Sequence, residues 1–240
     1  MQISIYGLGY VGAVAAGCLA GQGHDVIAVD PDSGKADMIR RGAAPVNEPG
    51  LDPLIRQAVE TGRLRAGTDL AEAIAGSAIT SICAGTADEA DRHDLSRTLS
   101  LCEEIGVALR ARQKFHAIVL RSALRPGTVR DFIIPALEQA SGKRAGADFG
   151  VAIYPEFLRQ GNAIEDYLNP PAIILGATDD ETLARLREMD IALQAPEMVL
   201  ELEEAEAMMQ AARRPVSRLA LPRNIAWPAL PVIADRPCGG

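Results

Sequence analysis

The strongest constraint on the fold is a glycine pattern, G-x-G-x-x-G, near the start of the chain. It occupies residues 7–12, directly after a strand pattern at 3–6 and at the start of a helix pattern at 11–22. In such a strand–turn–helix unit the first glycine permits a tight turn, the second admits a pyrophosphate close to the backbone, and the third lets the helix pack against the sheet. Free amides at the helix N-terminus then face the anion. The pattern predicts a dinucleotide site formed by Gly7, Gly9, Tyr10, Val11 and Gly12.

A carboxylate follows the turn at the expected distance. Asp30 ends the second strand pattern, 26–30, about 20 residues after the turn, where it would accept the ribose hydroxyls. Pro31 and Asp32 follow, and no arginine stands beside Asp30 to receive a 2′-phosphate, so NAD is favoured over NADP as the cofactor. Lys35 is either a solvated helix charge or a phosphate contact. The alternative interpretation of the whole pattern is a glycine-rich turn that binds nothing.

Strand and helix patterns alternate along the chain. Short apolar runs rich in β-branched residues, typical of buried strands, occupy 78–84, 117–121, 151–154 and 172–175. Amphipathic helix patterns occupy 34–41, 95–110, 127–140 and 180–193. Together they predict an α/β fold, a Rossmann-type doubly wound and mainly parallel sheet with helices on both faces.

Charge and cysteine content exclude several classes of partner. The formal net charge of −8 argues against a general nucleic-acid surface, which needs clustered Lys and Arg. No apolar run is long enough to span a bilayer, and the N-terminus carries no secretory signal pattern. The four cysteines show no C-x-x-C spacing, and the three histidines do not pair with them as metal ligands. We therefore expect a cytoplasmic protein with no metal site and no membrane partner.

The composition changes near residue 213. Residues 213–240 contain five of the chain's 15 prolines, five arginines and one acidic residue. A strong helix pattern at 202–212 cannot continue through Pro215, which lacks an amide proton. We expect an NAD-binding domain over 1–212, followed by a Pro/Arg-rich tail over 213–240 that is extended or disordered.

Several segments beyond the turn resemble the UDP-glucose/GDP-mannose dehydrogenase family of nucleotide-sugar 6-dehydrogenases. They are residues 7–14, the E-P-G-L at 48–51, 82–86, the R-S-A at 121–123, 126–129, and the P-E-F-L-R-Q-G at 155–161. The GDP-mannose branch of the family is resembled more closely than the UDP-glucose branch at residues 141–143, 148–151 and 170–171. The resemblance extends over 1–212, and the family's second, nucleotide-sugar-binding domain is expected to be absent from this chain.

The resemblance implies a two-step oxidation of the C6 alcohol of a nucleotide sugar, with NAD as the hydride acceptor. A cysteine thiolate captures the aldehyde, a second hydride transfer gives a thioester, and water hydrolyses it to the uronic acid. Glu156 is implied as the base or proton shuttle. The implied cofactor contacts are Lys35, Gly85, Thr86 and Ser122, and the implied substrate contacts are Phe157, Leu158 and Arg159.

Several positions depart from the family pattern. Ala123 stands in place of the family's catalytic threonine, Gln160 in place of its second glutamate, and Met209 in place of its oxyanion-stabilising lysine. The motif of the nucleophilic cysteine has no counterpart, because Cys238 lies in the unrelated sequence R-P-C-G-G. A thioether stabilises no negative charge, and loss of a covalent nucleophile stops the second half-reaction.

Three interpretations follow. The first is a truncated, impaired NAD-dependent dehydrogenase of GDP-mannose, with UDP-glucose as the alternative substrate. The second is a catalytically inactive NAD-binding module that forms a homodimer or pairs with an intact paralogue. The third is a degraded paralogue whose basic tail arose from a changed reading frame.

Overall fold

An eight-stranded sheet organises the protein. The computed structural model describes residues 1–84 and 95–212, so the predicted tail at 213–240 lies outside the described residues. The strands are β1 (Gln2–Tyr6), β2 (Asp25–Val29), β3 (Leu64–Gly67), β4 (Ile79–Ile82), β5 (Ala117–Leu120), β6 (Gly150–Ile153), β7 (Ile173–Ala177) and β8 (Glu197–Leu200). Their order in the sheet is β3-β2-β1-β4-β5-β6-β7-β8. All neighbouring pairs are parallel except β6 and β7, which are antiparallel.

Helices cover both faces of this sheet. They are α1 (Tyr10–Gly21), α2 (Ser33–Arg40), α3 (Leu51–Glu60), α4 (Leu70–Ala75), α5 (Ser96–Ala111), α6 (Ile134–Ser141), α7 (Ala163–Leu168), α8 (Asp180–Met189) and α9 (Leu202–Ala212). A π-helical turn, Val129–Ile133, leads directly into α6. In the two described ranges, no helix combines the length and the apolar character that crossing a bilayer requires.

The core is divided between the two faces. In β5, Ala117 and Val119 belong to the apolar cluster that α1, α3, α7 and α8 share, whereas Ile118 and Leu120 belong to the cluster under α4, α5, α6 and α9. Successive side chains of a strand point to opposite faces, so a strand covered on both sides is apolar throughout. The first six strands in the order 3-2-1-4-5-6 form the Rossmann arrangement, which confirms the predicted fold class.

Several elements were not predicted from the sequence: α3, β3, α4, α7 and β8. Most are four to six residues long, and α3 follows Gly50, whose φ of +81° suits a glycine turn. The helix predicted at 127–140 begins only at Val129, because Pro126 and Gly127 form a turn before it. The amides of Gly127 and Val129 donate to the buried carboxylate of Glu206 in α9, at 2.6 and 2.8 Å. A residue distant in sequence therefore fixes this helix start.

Candidate dinucleotide and active site

The glycine turn connects β1 to α1, and two of its glycines are required by space. Gly7 has a φ of +95°, and a Cβ there would lie 2.6 Å from the amide nitrogen of Ala84. A Cβ at Gly12 would lie 1.9 Å from the carbonyl oxygen of Gly7. A Cβ at Gly9, in contrast, would meet no atom within 4 Å. Open space therefore lies over Gly9, beside the first amides of α1, which have no acceptor within the helix.

Asp30 is held against this turn. Its Oδ2 accepts a 2.6 Å hydrogen bond from the amide of Leu8, and its Oδ1 accepts a 2.9 Å bond from the amide of Asp32. The Lys35 ammonium group lies 3.4 Å from Oδ2, so Lys35 is neither free in solvent nor directed only at a phosphate. The carboxylate is buried at the carboxyl end of β2, where open α/β sheets bind ligands. The open turn over Gly9 and this adjacent carboxylate fit a dinucleotide.

The other predicted cofactor contacts are placed differently. Val11 is half-buried in the first turn of α1. The Tyr10 hydroxyl donates to Glu48, and the Arg159 carbonyl oxygen lies 3.3 Å from the same hydroxyl, so the phenol joins α1 to another loop. Ser122 is buried and donates its hydroxyl proton to the carbonyl of Ala84, at the end of the β4 segment. Gly85 and Thr86 lie outside the described residues, and their cofactor role stays a prediction.

Glu156 lies just beyond the carboxyl end of β6 and faces a buried arginine. Its Oε2 is 3.8 Å from Nη1 of Arg121, whose side chain is only 2% exposed. The Arg121 guanidinium stacks over the rings of Tyr154 and Tyr167, at 4.1 and 5.7 Å from their centroids. Its Nε and Nη2 have no hydrogen-bond partner among the described residues. Glu156 therefore lies next to a fixed positive charge at the sheet edge that carries the glycine turn.

Cys83 belongs to the same group of residues. Burial, together with the nearby charge of Glu156 and against the opposing charge of Arg121, raises the pKa of its thiol to about 12. A thiol with this pKa stays protonated at neutral pH and is a poor nucleophile. We therefore do not assign Cys83 the role of the nucleophilic cysteine in the family pattern.

The predicted substrate contacts follow Glu156 in one segment. Phe157 packs against the small apolar cluster of Ala172, Ile174 and Met208, and Leu158 packs against the core beside α1. The Arg159 guanidinium pairs with Asp166, with Nη2 to Oδ1 at 2.6 Å and Nε to Oδ2 at 3.0 Å. Gln160 is exposed. The substrate role of Phe157, Leu158 and Arg159 stays a prediction.

Two of the substituted positions, Met209 and Ala123, lie at the apolar cluster under α4, α5, α6 and α9. Met209 is 4% exposed and belongs to the apolar cluster under α4, α5, α6 and α9. Ala123 is half-buried beside the same cluster. Glu206, also on α9, is buried and accepts hydrogen bonds from the amides of Gly127 and Val129. Met209 thus contributes volume to the core and no cation.

Comparison with known proteins then places the chain. Residues 1–192 match the family described as "UDP-glucose/GDP-mannose dehydrogenase family, NAD binding domain". The chain belongs to this family. A GDP-mannose 6-dehydrogenase of Pseudomonas putida is 48% identical over 86% of this chain and 47% of its own length. A UDP-glucose 6-dehydrogenase of Haloferax volcanii is 38% identical over 79% of this chain and 44% of its own length.

Solved structures of the family agree. A ternary complex of GDP-mannose dehydrogenase from Pseudomonas aeruginosa superposes with a TM-score of 0.85 at 45% identity, covering 88% of this chain and 48% of that one. A UDP-glucose dehydrogenase from Pyrobaculum islandicum gives a TM-score of 0.82 at 33% identity, covering the same shares. The chain spans about half the length of the relatives it matches. Residues 1–192 are the family's NAD-binding domain, which confirms the cofactor prediction.

Sequence reasoning gave no role to three residues of this region of the UDP-glucose/GDP-mannose dehydrogenase fold. Glu48 lies within E-P-G-L and Arg121 within R-S-A, and both bind the segment that carries Glu156. An arginine in phase with Ala117 and Val119 of an apolar strand is a sequence signal for a buried charge. Asp190, which is buried near Arg121 and Tyr154, had no such signal.

Proposed function

We propose that this chain is the NAD-binding part of a nucleotide-sugar 6-dehydrogenase that acts on GDP-mannose. The observation that carries the proposal is the open turn over Gly9 with the Asp30 carboxylate fixed beside it by the Leu8 amide. The identity of 48% with a GDP-mannose enzyme, against 38% with a UDP-glucose enzyme, favours GDP-mannose. Oxidation of the sugar to its uronic acid is the corresponding reaction.

Each residue of the site would have a separate role in binding or catalysis. The first amides of α1 would hold the diphosphate, Gly9 would leave room for it, and Asp30 would accept the ribose hydroxyls. Bound NAD would supply the hydride-accepting chemistry. Glu156 would take the proton from the sugar hydroxyl, while Arg121, 3.8 Å away, would hold the carboxylate in place. Phe157, Leu158 and Arg159 would contact the nucleotide sugar.

A second candidate function is an NAD-binding module without turnover, as a homodimer or beside an intact paralogue. Met209 favours it, because a thioether in an apolar cluster cannot stabilise an oxyanion. Ala123 offers no hydroxyl, and Gln160 cannot take a proton. These three substitutions together are expected to impair or abolish the reaction.

One pair of assays separates the two candidates. Calorimetry measures NAD binding, and NADH absorbance measures turnover with GDP-mannose and, in parallel, UDP-glucose. Steady turnover that Glu156→Gln abolishes, while the exposed Glu60→Gln does not, supports the dehydrogenase. NAD binding without turnover supports the module, and light scattering alone and with an intact relative then tests its partner. Absence of NAD binding contradicts both.

A further inference from the structure

Glu48 joins two parts of the site that are far apart in sequence. Its carboxylate is buried, with 6% of the residue exposed. Oε1 accepts a 2.8 Å hydrogen bond from the amide of Ala163, and Oε2 accepts a 2.8 Å bond from the amide of Gly161. The Tyr10 hydroxyl donates to the same Oε2. One carboxylate thus binds the first residue of α1 and the loop that follows Glu156.

The loop needs this carboxylate because α7 has no cap of its own. Asn162, at the N-cap position, makes no side-chain hydrogen bond to the first turn of α7. The amides at a helix start require acceptors, and an anion there also interacts favourably with the helix dipole. Burial acts to raise the pKa of Glu48, but the bonds from Tyr10, Gly161 and Ala163 outweigh it and hold the pKa below its ordinary value. Glu48 therefore stays an anion and acts as the missing cap.

The segment between β6 and α7 is consequently fixed at two ends. At its start, Glu156 lies 3.8 Å from Arg121. At its end, Gly161 and Ala163 bind Glu48, and the carbonyl oxygen of Arg159 lies 3.3 Å from the Tyr10 hydroxyl. Three of these four contacts lead to Glu48 or Tyr10. The position of residues 157–163 therefore depends on the first turn of α1.

We propose that Glu48 is a positioning residue that couples occupancy of the dinucleotide site to the order of residues 157–163. Tyr10 begins α1, whose first amides are the predicted contacts of the diphosphate. A dinucleotide that restrains this turn restrains the phenol, the phenol restrains the Glu48 carboxylate, and the carboxylate holds the amides of Gly161 and Ala163. The inference rests on the proposed function, since the ligand that acts through Tyr10 is NAD.

Hydrogen exchange of the backbone amides tests the coupling without any turnover. We expect saturating NAD to slow exchange of residues 157–163 in the wild-type chain by about fivefold, the factor that one net hydrogen bond contributes. Tyr10→Phe removes only the hydroxyl, so Gly161 and Ala163 keep their acceptor and exchange without NAD stays near the wild-type rate. When NAD is added to Tyr10→Phe, exchange of residues 157–163 should not slow as it does in the wild-type chain. Glu48→Gln should lose it as well, whereas the exposed Glu60→Gln should retain it.

A merely structural role predicts a different result. If Glu48 only caps α7, Tyr10→Phe responds to NAD as the wild type does, and this outcome overturns the coupling. Calorimetry on each variant gives the NAD concentration needed for saturation. It also separates the coupling through Glu48 from the proposed function, because it measures NAD binding directly. Wild-type chain that binds NAD with unchanged exchange at 157–163 contradicts the coupling alone. Wild-type chain that does not bind NAD contradicts the coupling and the proposed function together.

Discussion

The main-chain amide of Leu8 donates a 2.6 Å hydrogen bond to Oδ2 of Asp30, which ties the glycine turn to the end of β2. Leu8 lies between Gly7 and Gly9, next to the open space over Gly9, so the carboxylate is positioned before any ligand arrives. A preorganised acceptor binds more tightly than one that must be ordered on binding. The geometry therefore makes Asp30 the residue whose change most directly tests the cofactor site.

Asp30→Asn should weaken NAD binding by at least about tenfold, because a charged acceptor is replaced by a neutral one. The amide oxygen can still accept from Leu8, so we expect the fold to persist. Asp32→Asn is the matched control, since Asp32 is exposed and its carboxylate accepts a hydrogen bond from the amide of Gly34. Calorimetry with NAD gives both affinities. Equal losses in the two variants would contradict the assignment of the ribose contact to Asp30.

Alanine substitutions in the glycine turn should separate binding from stability. A Cβ at Gly9 meets nothing within 4 Å, so Gly9→Ala should leave the melting temperature near the wild-type value while weakening NAD binding. A Cβ at Gly12 would lie 1.9 Å from the Gly7 carbonyl oxygen, so Gly12→Ala should destabilise the fold by about 2–3 kcal/mol. Thermal unfolding measures the stability of both variants, and calorimetry measures their affinity for NAD. Tight NAD binding by Gly9→Ala would mean that the diphosphate lies elsewhere.

Asp190→Asn should stabilise the protein at neutral pH. Burial raises the pKa of Asp190 to about 6, with Arg121 and the Tyr154 bond opposing the shift. Because the folded-state pKa exceeds the unfolded value, the folded state binds more protons, and stability falls as pH rises between about 4 and 6. Replacing the carboxyl group should therefore raise the free energy of unfolding by up to ~3 kcal/mol at pH 7 and change it little at pH 4. Urea unfolding across this range measures it, with the exposed Glu188→Gln as control. A pH-independent difference would contradict the titration of Asp190.

Arg121→Lys should destabilise the protein by about 2 kcal/mol although the charge is kept, because an ammonium group cannot reproduce the planar stacking on two rings. The guanidinium lies 4.1 Å from the Tyr154 centroid and 3.8 Å from Oε2 of Glu156. The exposed Arg144→Lys should change the free energy of unfolding by less than about 0.5 kcal/mol. Chemical denaturation compares the two. Indistinguishable variants would show that the stacked geometry contributes nothing.

The parts of the molecule that follow local rules could be predicted from the sequence. The glycine turn, the strand before it and the acid after it are specified by neighbouring residues, and the structure places Gly7, Gly12 and Asp30 as those rules require. Wholly apolar strands such as β5 could be predicted because both of their faces are buried. The helix α9 (Leu202–Ala212) begins at its predicted residue, since good helix formers fill it throughout.

The unpredicted parts depend on partners distant in sequence. The antiparallel direction of β7 is set by its pairing with β6, through Ala152 opposite Ala177, and a short apolar run carries no sign of direction. The role of Glu48 appears only when Gly161 and Ala163 are brought to it. The same holds for Arg121, whose contacts with Tyr154, Tyr167 and Glu156 come from other elements.

The capping of α7 from outside has a consequence for how the chain reaches its native state. A helix of six residues does not persist alone in water, because nucleation costs more than so few internal bonds return. Its stabilising acceptor lies 115 residues earlier in the chain, so the loop-closure entropy must be overcome before the helix gains it. We therefore expect residues 163–168 to consolidate after the glycine turn and the 48–52 segment have docked, and to open early under mild denaturant.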